Sequence, residues 1–164
     1  MKKILIIFLV LITLVGCDSI GNQRISNEDR YQSLIEMLRE YENYTEKSNY
    51  FDIDVEVASI DNGYRYYITI DSPRIAMYDV EAIAIESDVD YSNNMAASIG
   101  IFDENEYALV PNQKNINKGY YEGVMMSGVS NNPEITLYVF VSFKNSDYSV
   151  NHTEYIVLNG KYEG

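Results

Sequence analysis

The 164-residue chain sets 12 Lys and Arg against 25 Asp and Glu, a formal net charge of −13 at neutral pH, which disfavours nucleic acid and anionic headgroups as partners. It holds one cysteine and one histidine, so no internal disulfide can form and no zinc site can be built from several Cys and His ligands. Tyrosine occurs 16 times and tryptophan never, which makes tyrosine placement the feature to follow along the chain.

Lys2 and Lys3 give a positive start, and residues 4–15 are apolar apart from Thr13. A charged start, an apolar run of about a dozen residues and a small residue at the end are the parts of an export signal. The run falls short of the ~20 residues a spanning helix needs. Leu14-Val15-Gly16-Cys17 resembles the lipobox of bacterial lipoproteins. The resemblance implies cleavage before Cys17 and a diacylglyceryl group on its sulfur, with no other cofactor. It also implies a location on the outer face of the bacterial cytoplasmic membrane. Two acyl chains on one residue meet the requirement for stable anchoring. The expected organisation is a signal over residues 1–16, a tether over 17–25, a helix packing on the domain over 26–47 and a β-sandwich over 48–164. Without residues 1–16 and their two lysines, the remaining 148 residues carry a charge near −15, and their length suits one domain.

Ser26 reads as a helix N-cap with Asp29 three residues on. Tyr31, Leu34, Ile35, Leu38 and Tyr41 then recur at helical spacing, predicting an amphipathic helix over residues 27–44. From Phe51 the period becomes two: Ile53, Val55 and Val57 alternate with Asp52, Asp54 and Glu56, the pattern of a half-buried strand. Asn62-Gly63 suits a type I′ hairpin turn, which sets Val57 opposite Ile68 and Val55 opposite Ile70. Further strands are expected over residues 77–87, 96–102, 107–110, 119–128, 135–143 and 153–158, the last closed by Asn159-Gly160. Seven to eight short strands after one helix predict a mainly β chain, an antiparallel β-sandwich of immunoglobulin-like arrangement.

No motif assigns a chemistry. His152 is the only imidazole available to a Ser-His-acid or Cys-His centre, and it lies in a polar stretch expected to be an exposed loop. Asp52, Asp54 and Glu56 are spaced too far apart along a strand to hold one ion. Asp88, Asp90, Ser92 and Asn94 alternate like the start of a calcium loop, but the glycine and closing acid of such a loop are missing. Met77, Met95, Met125 and Met126 are softer ligands without a copper-site spacing. No catalytic residue is assigned.

The aromatic residues offer more. Alternation along the cleanest strand buries Val139 and Val141 and turns Tyr138 and Phe140 the other way; Tyr67 also faces outward, and Tyr120 and Tyr121 stand near a glycine. Either the helix covers these side chains or they form a contact surface, since tyrosine brings large area at small entropic cost. The expectation is a lipid-anchored, noncatalytic binding or interaction module for an envelope protein, peptide or glycan. The alternatives are a hydrolase acting through paired carboxylates and an accessory subunit of an envelope or export complex.

Overall fold

The computed structural model describes residues 26–164; the signal, lipobox and tether expected before them lie outside the described residues. Ser26 caps α1 (Asn27–Glu40), its Oγ accepting from the Asp29 N–H at 3.0 Å and its hydroxyl donating to the Asp29 carboxylate at 2.6 Å. Tyr31, Leu34, Ile35 and Leu38 are the buried face, as their spacing requires. The Arg30 guanidinium near the start of the helix pairs with Glu81. The helix ends four residues early. Tyr41 takes extended backbone (ψ 138°), which lays its ring on Tyr155 with centroids 3.8 Å apart. The Tyr44 hydroxyl donates to the Leu38 carbonyl, one of the acceptors a helix C-terminus leaves unsatisfied. Aromatic packing thus replaces the last turn.

Nine strands follow among the described residues, rather than seven or eight: β1 (Asp52–Ile60), β2 (Gly63–Asp71), β3 (Tyr78–Glu86), β4 (Ala97–Ile99), β5 (Ala108–Leu109), β6 (Tyr120–Tyr121), β7 (Gly123–Ser130), β8 (Glu134–Lys144) and β9 (Asn151–Lys161). They form a three-stranded sheet β1-β2-β7, a four-stranded sheet β4-β3-β8-β9 and a small pair β5-β6. The two large sheets are antiparallel throughout. The small pair is parallel, against the all-antiparallel expectation. The run expected as one strand over 119–128 splits at Glu122, because Tyr120 and Tyr121 pair with β5 while β7 pairs with β2.

The hairpin forms one step earlier than expected. Ile60 pairs with Gly63, so Asp61-Asn62 is the turn, and Val57 faces Tyr66 and Val55 faces Ile68. Neither Asp61 nor Asn62 takes positive φ, whereas Gly63 does (φ 124°). A turn followed by a positive-φ glycine is the other common way to match strand twist. The displacement is by two residues, so inward residues stay inward. Asn159-Gly160 does not close β9 but lies within it. A Cβ on Gly160 would stand 2.9 Å from Val57 and 3.3 Å from Val55, so the glycine lets β1 cross close over β9.

The four-stranded sheet is buried on both faces. One face shares a core with the three-stranded sheet, where Val80, Ala82, Leu137, Val139, Val141, Phe143 and Ile156 meet Tyr66, Ile68, Ile70, Val124 and Met126. On the other, Ile83, Ile85 and Phe140 pack under Tyr31, Leu34, Ile35 and Leu38 of the helix. Each fully buried aliphatic side chain contributes roughly 1.5–3 kcal/mol, so this doubly covered sheet carries most of the stability that a disulfide would otherwise supply. The outer face of the three-stranded sheet has no such cover: Met125 is 58% exposed and Val129 52%.

Candidate functional site: the loop end

One end of the two sheets gathers the connections β2–β3, β4–β7 and β8–β9. The pairing of Tyr78 with Lys144 marks the last rung there, and the register shifts between Tyr78 and Glu81. Asp79 occupies this bulge with φ 51°. Bulges of this kind re-aim side chains, and here the Asp79 carboxylate accepts from the Lys144 ammonium at 2.5 Å. Four residues beyond Lys144, the β8–β9 turn places Tyr148 at φ 61°. Its ring lies 5.8 Å from that of Tyr78 and 5.6 Å from the Lys144 ammonium, and its hydroxyl donates to Glu106 at 3.3 Å.

The long β4–β7 connection completes this surface. The Tyr120 ring stands 6.4 Å from Tyr78, and the Tyr107 ring 5.2 Å from Tyr121. The β2–β3 and β4–β7 connections also enclose a cleft of about 710 Å³, lined among others by Asp71, Ser72, Asn112, Lys114 and Glu122. Ser72 (φ 48°) and Asn112 (φ 58°) are the remaining non-glycine residues of positive φ. All four such residues among those described therefore stand in the loops and bulge of one end. Backbone held in this region costs of order 1–3 kcal/mol per residue and tends to collect at functional sites.

Lys144 and three of the tyrosines at this end all have their pKa raised. The hydrogen bond that Lys144 donates to the Asp79 carboxylate pushes its pKa up, so the ammonium persists. Burial, then the Glu106 carboxylate, raises Tyr148; burial, then Tyr120, raises Tyr78; and burial, then Asp103, raises Tyr107. Phenols and an ammonium offer ring faces, hydrogen bonds and ion pairs. None of these shifts brings a group toward the near-neutral pKa that general acid–base catalysis favours.

The aromatic residues singled out in the sequence do not form one surface. Tyr138 and Phe140 lie beneath the helix: Phe140 is 6% exposed, and Tyr44 covers Tyr138 with centroids 4.6 Å apart. That removes both from an external contact surface. Tyr67 is half-buried on the outer face of the three-stranded sheet, opposite Glu56 and Ser127. Tyr120 and Tyr121 stand at the loop end, Tyr121 also packing against the main core. Tyr78, Asp79, Lys144 and Tyr148 were missed. The polar stretch around His152 gives no sign of Tyr148, and only the long-range rung between Tyr78 and Lys144 reveals what that tyrosine joins.

The other candidates resolve individually. The His152 ring stacks on Phe143 (4.9 Å, 13°) and lies 5.2 Å from Tyr50, capping the core rather than occupying the exposed loop expected for it. Both Asp90 oxygens accept from Ser92, one from its N–H at 2.9 Å and one from its hydroxyl at 2.8 Å, and the Asn94 amide donates to the Asp90 carbonyl. The oxygens of that loop serve its own turn, and the Ser92 hydrogen bonds hold the Asp90 pKa down. Met77 and Met126 are core residues, whereas Met95 and Met125 are exposed, so the four methionines do not converge. Among the described residues no group of three or more His, Cys, Asp or Glu is placed to hold a metal ion together, and no helix is long and apolar enough to cross a membrane. Asp52, Asp54 and Glu56 form the exposed face of β1, with Asp52 paired to Arg74.

No family model, curated protein sequence or solved structure matches the chain.

Proposed function

We propose that this chain is a lipid-anchored, extracytoplasmic, noncatalytic binding module, held on the outer face of a bacterial cytoplasmic membrane through diacylglycerol on Cys17. Its loop end is the surface that meets an envelope protein, peptide or glycan. The observation that carries the reading is the coincidence, at one end, of the partly exposed tyrosines Tyr78, Tyr107, Tyr120 and Tyr148 with every described non-glycine residue of positive φ. Rigid aromatic side chains on fixed loops bind with little loss of conformational freedom.

The proposal includes an immunoglobulin-like sandwich. One sheet ordered β1-β2-β7 and another ordered β4-β3-β8-β9 correspond to strands A, B, E and C′, C, F, G of that architecture. The parallel bridge of Thr45 to Ile156 on the last strand agrees with it. In such folds the loops between B and C and between F and G share one end, which is where Ser72 and Tyr148 stand here. The likeness is one of topology, and function is argued from the site alone.

Two measurements test the reading. Lipid labelling of the wild-type protein and of Cys17→Ala should differ, the variant losing label and membrane retention; equal labelling removes the anchor. A photo-crosslinking residue at Tyr148 of the anchored protein should trap a discrete adduct that the same residue at exposed Asp61, in the β1–β2 turn, does not. Equal trapping from both positions removes the loop end as the contact surface.

A further inference from the structure

The helix covers the outer face of the four-stranded sheet unevenly. It packs on Ile83, Ile85 and Phe140 of β3 and β8, and the β9 residues on that face, Thr153 and Tyr155, pair with Ser142 and Phe140 at its flank. A groove of about 460 Å³ runs there between helix and strand, a size within the range of small-molecule sites. Arg30, Leu34 and Met37, on one side of the helix by their spacing, form one wall, and Phe140 and Ser142 form the floor.

Two hydroxyls of this groove are loosely held. Ser142 is 4% exposed, yet its side chain has one hydrogen bond among the described residues, donated to the Asn151 side-chain oxygen at 3.4 Å, beyond the usual range of such bonds. The Tyr155 hydroxyl donates to the Met37 sulfur at 3.1 Å, a weak acceptor. Burying a hydroxyl without a good partner is costly, and here one lies at the floor beside apolar Phe140. Charge is already balanced, because Arg30, the only charged residue of the lining, is paired with Glu81. We infer that the groove binds a small uncharged ring compound, its ring laid against Leu34, Met37 and Phe140 and its hydroxyl or amide group hydrogen-bonded to Ser142 and Asn151. The ring matches the apolar wall and floor, the polar group supplies the partner Ser142 lacks, and the absence of charge suits a neutralised Arg30. The inference goes beyond the loop-end reading and does not rest on it.

The test follows isotope-labelled methionine methyl groups by NMR in the full-length lipidated protein, held in phosphatidylcholine nanodiscs. The probe is para-hydroxybenzamide, an uncharged ring bearing a hydroxyl and an amide. The Met37 signal should shift saturably with a Kd of about 1–10 mM, the scale for so small a ligand, while the signals of exposed Met95 and Met125 remain in place. Ser33→Trp, which fills the groove from its helix wall, should abolish the shift. Gln32→Trp, exposed on the opposite side of the helix, should leave Kd within about twofold. Ser142→Ala should weaken binding about threefold to tenfold, the scale of one hydrogen bond. Thermal melts establish that each variant folds. An unshifted Met37 in the wild type, equal movement of all three methyls, a shift that survives Ser33→Trp, or an affinity unchanged by Ser142→Ala overturns the inference. Each of these leaves crosslinking from Tyr148 to decide the loop-end reading by itself.

Discussion

Tyr31 and Tyr91, beneath the helix, are 3% and 7% exposed, and their hydroxyls accept backbone N–H bonds from Ala96 at 2.6 Å and Glu86 at 2.8 Å. Tyr148, at the loop end, is 48% exposed and sends its hydroxyl to a solvent-facing carboxylate. In the first region the phenol fills a core and satisfies a buried donor that would otherwise cost about 1–3 kcal/mol. In the second the ring is presented by a backbone that takes an unfavourable φ to do so. One residue type thus stabilises where a sheet is covered and displays where loops converge, and the surroundings decide which.

Substitutions can sharpen that contrast. Leu38→Ala, at a site 1% exposed between the helix and the four-stranded sheet, should lose about 2–5 kcal/mol in urea unfolding; a loss near zero would mean the helix is not an integral layer. Gly128→Ala should lose about 1–3 kcal/mol, the cost of overpacking, because its Cβ would meet the Tyr66 ring and hydroxyl inside contact distance. Tyr148→Ala should stay within about 0.5 kcal/mol, as a surface substitution should. A larger loss there would make the loop-end tyrosine structural and erase the distinction.

Alkaline titration offers a further test. Burial pushes the Tyr44 phenol from 10.0 up to about 12, with nearby Tyr138, Tyr155 and Tyr41 adding to the rise; burial likewise raises Tyr66, whose hydroxyl meets Tyr91. With the folded value above the unfolded one, the unfolded chain binds fewer protons between about pH 10 and 12, so stability falls as pH rises through that window. It is fully present below pH 10. Denaturant midpoints should decline across the window in step with the phenolate absorbance, and a flat profile would contradict the burial of these rings.

Much of the covered region could be read from local pattern. The stripe of Tyr31, Leu34, Ile35 and Leu38, the alternation in β1 and β8, and the outward turn of Tyr138 and Phe140 all follow from periods of 3.6 and two residues. What failed depended on distant partners. Asn62-Gly63 suits a turn with Gly63 inside it, while the structure pairs Gly63 with Ile60 and turns at Asp61-Asn62. Gly160 resembled a stop signal, yet it exists to admit Val55 and Val57 from another sheet. The loop end was least legible. The bulge at Asp79, the ion pair across 65 residues to Lys144 and the left-handed backbone of Tyr148 arise from tertiary contacts that overrule local preference, and no spacing in the chain announces them. Glu86 illustrates the same limit: a carboxylate 4% exposed, tied to Ser130 at 2.9 Å and Asn132 at 3.3 Å, at a position that reads simply as the end of an apolar run.

The start of α1, with Arg30 on Glu81 and the Tyr31 ring 5.3 Å from Phe102, lies toward the same end as Tyr148. Under the proposed anchoring, a leash from Cys17 to Ser26 reaches at most about 30 Å, so the end bearing Tyr148 is the one tied within that distance of the bilayer, and a partner seated in the membrane would meet it without first having to cross the surrounding solvent.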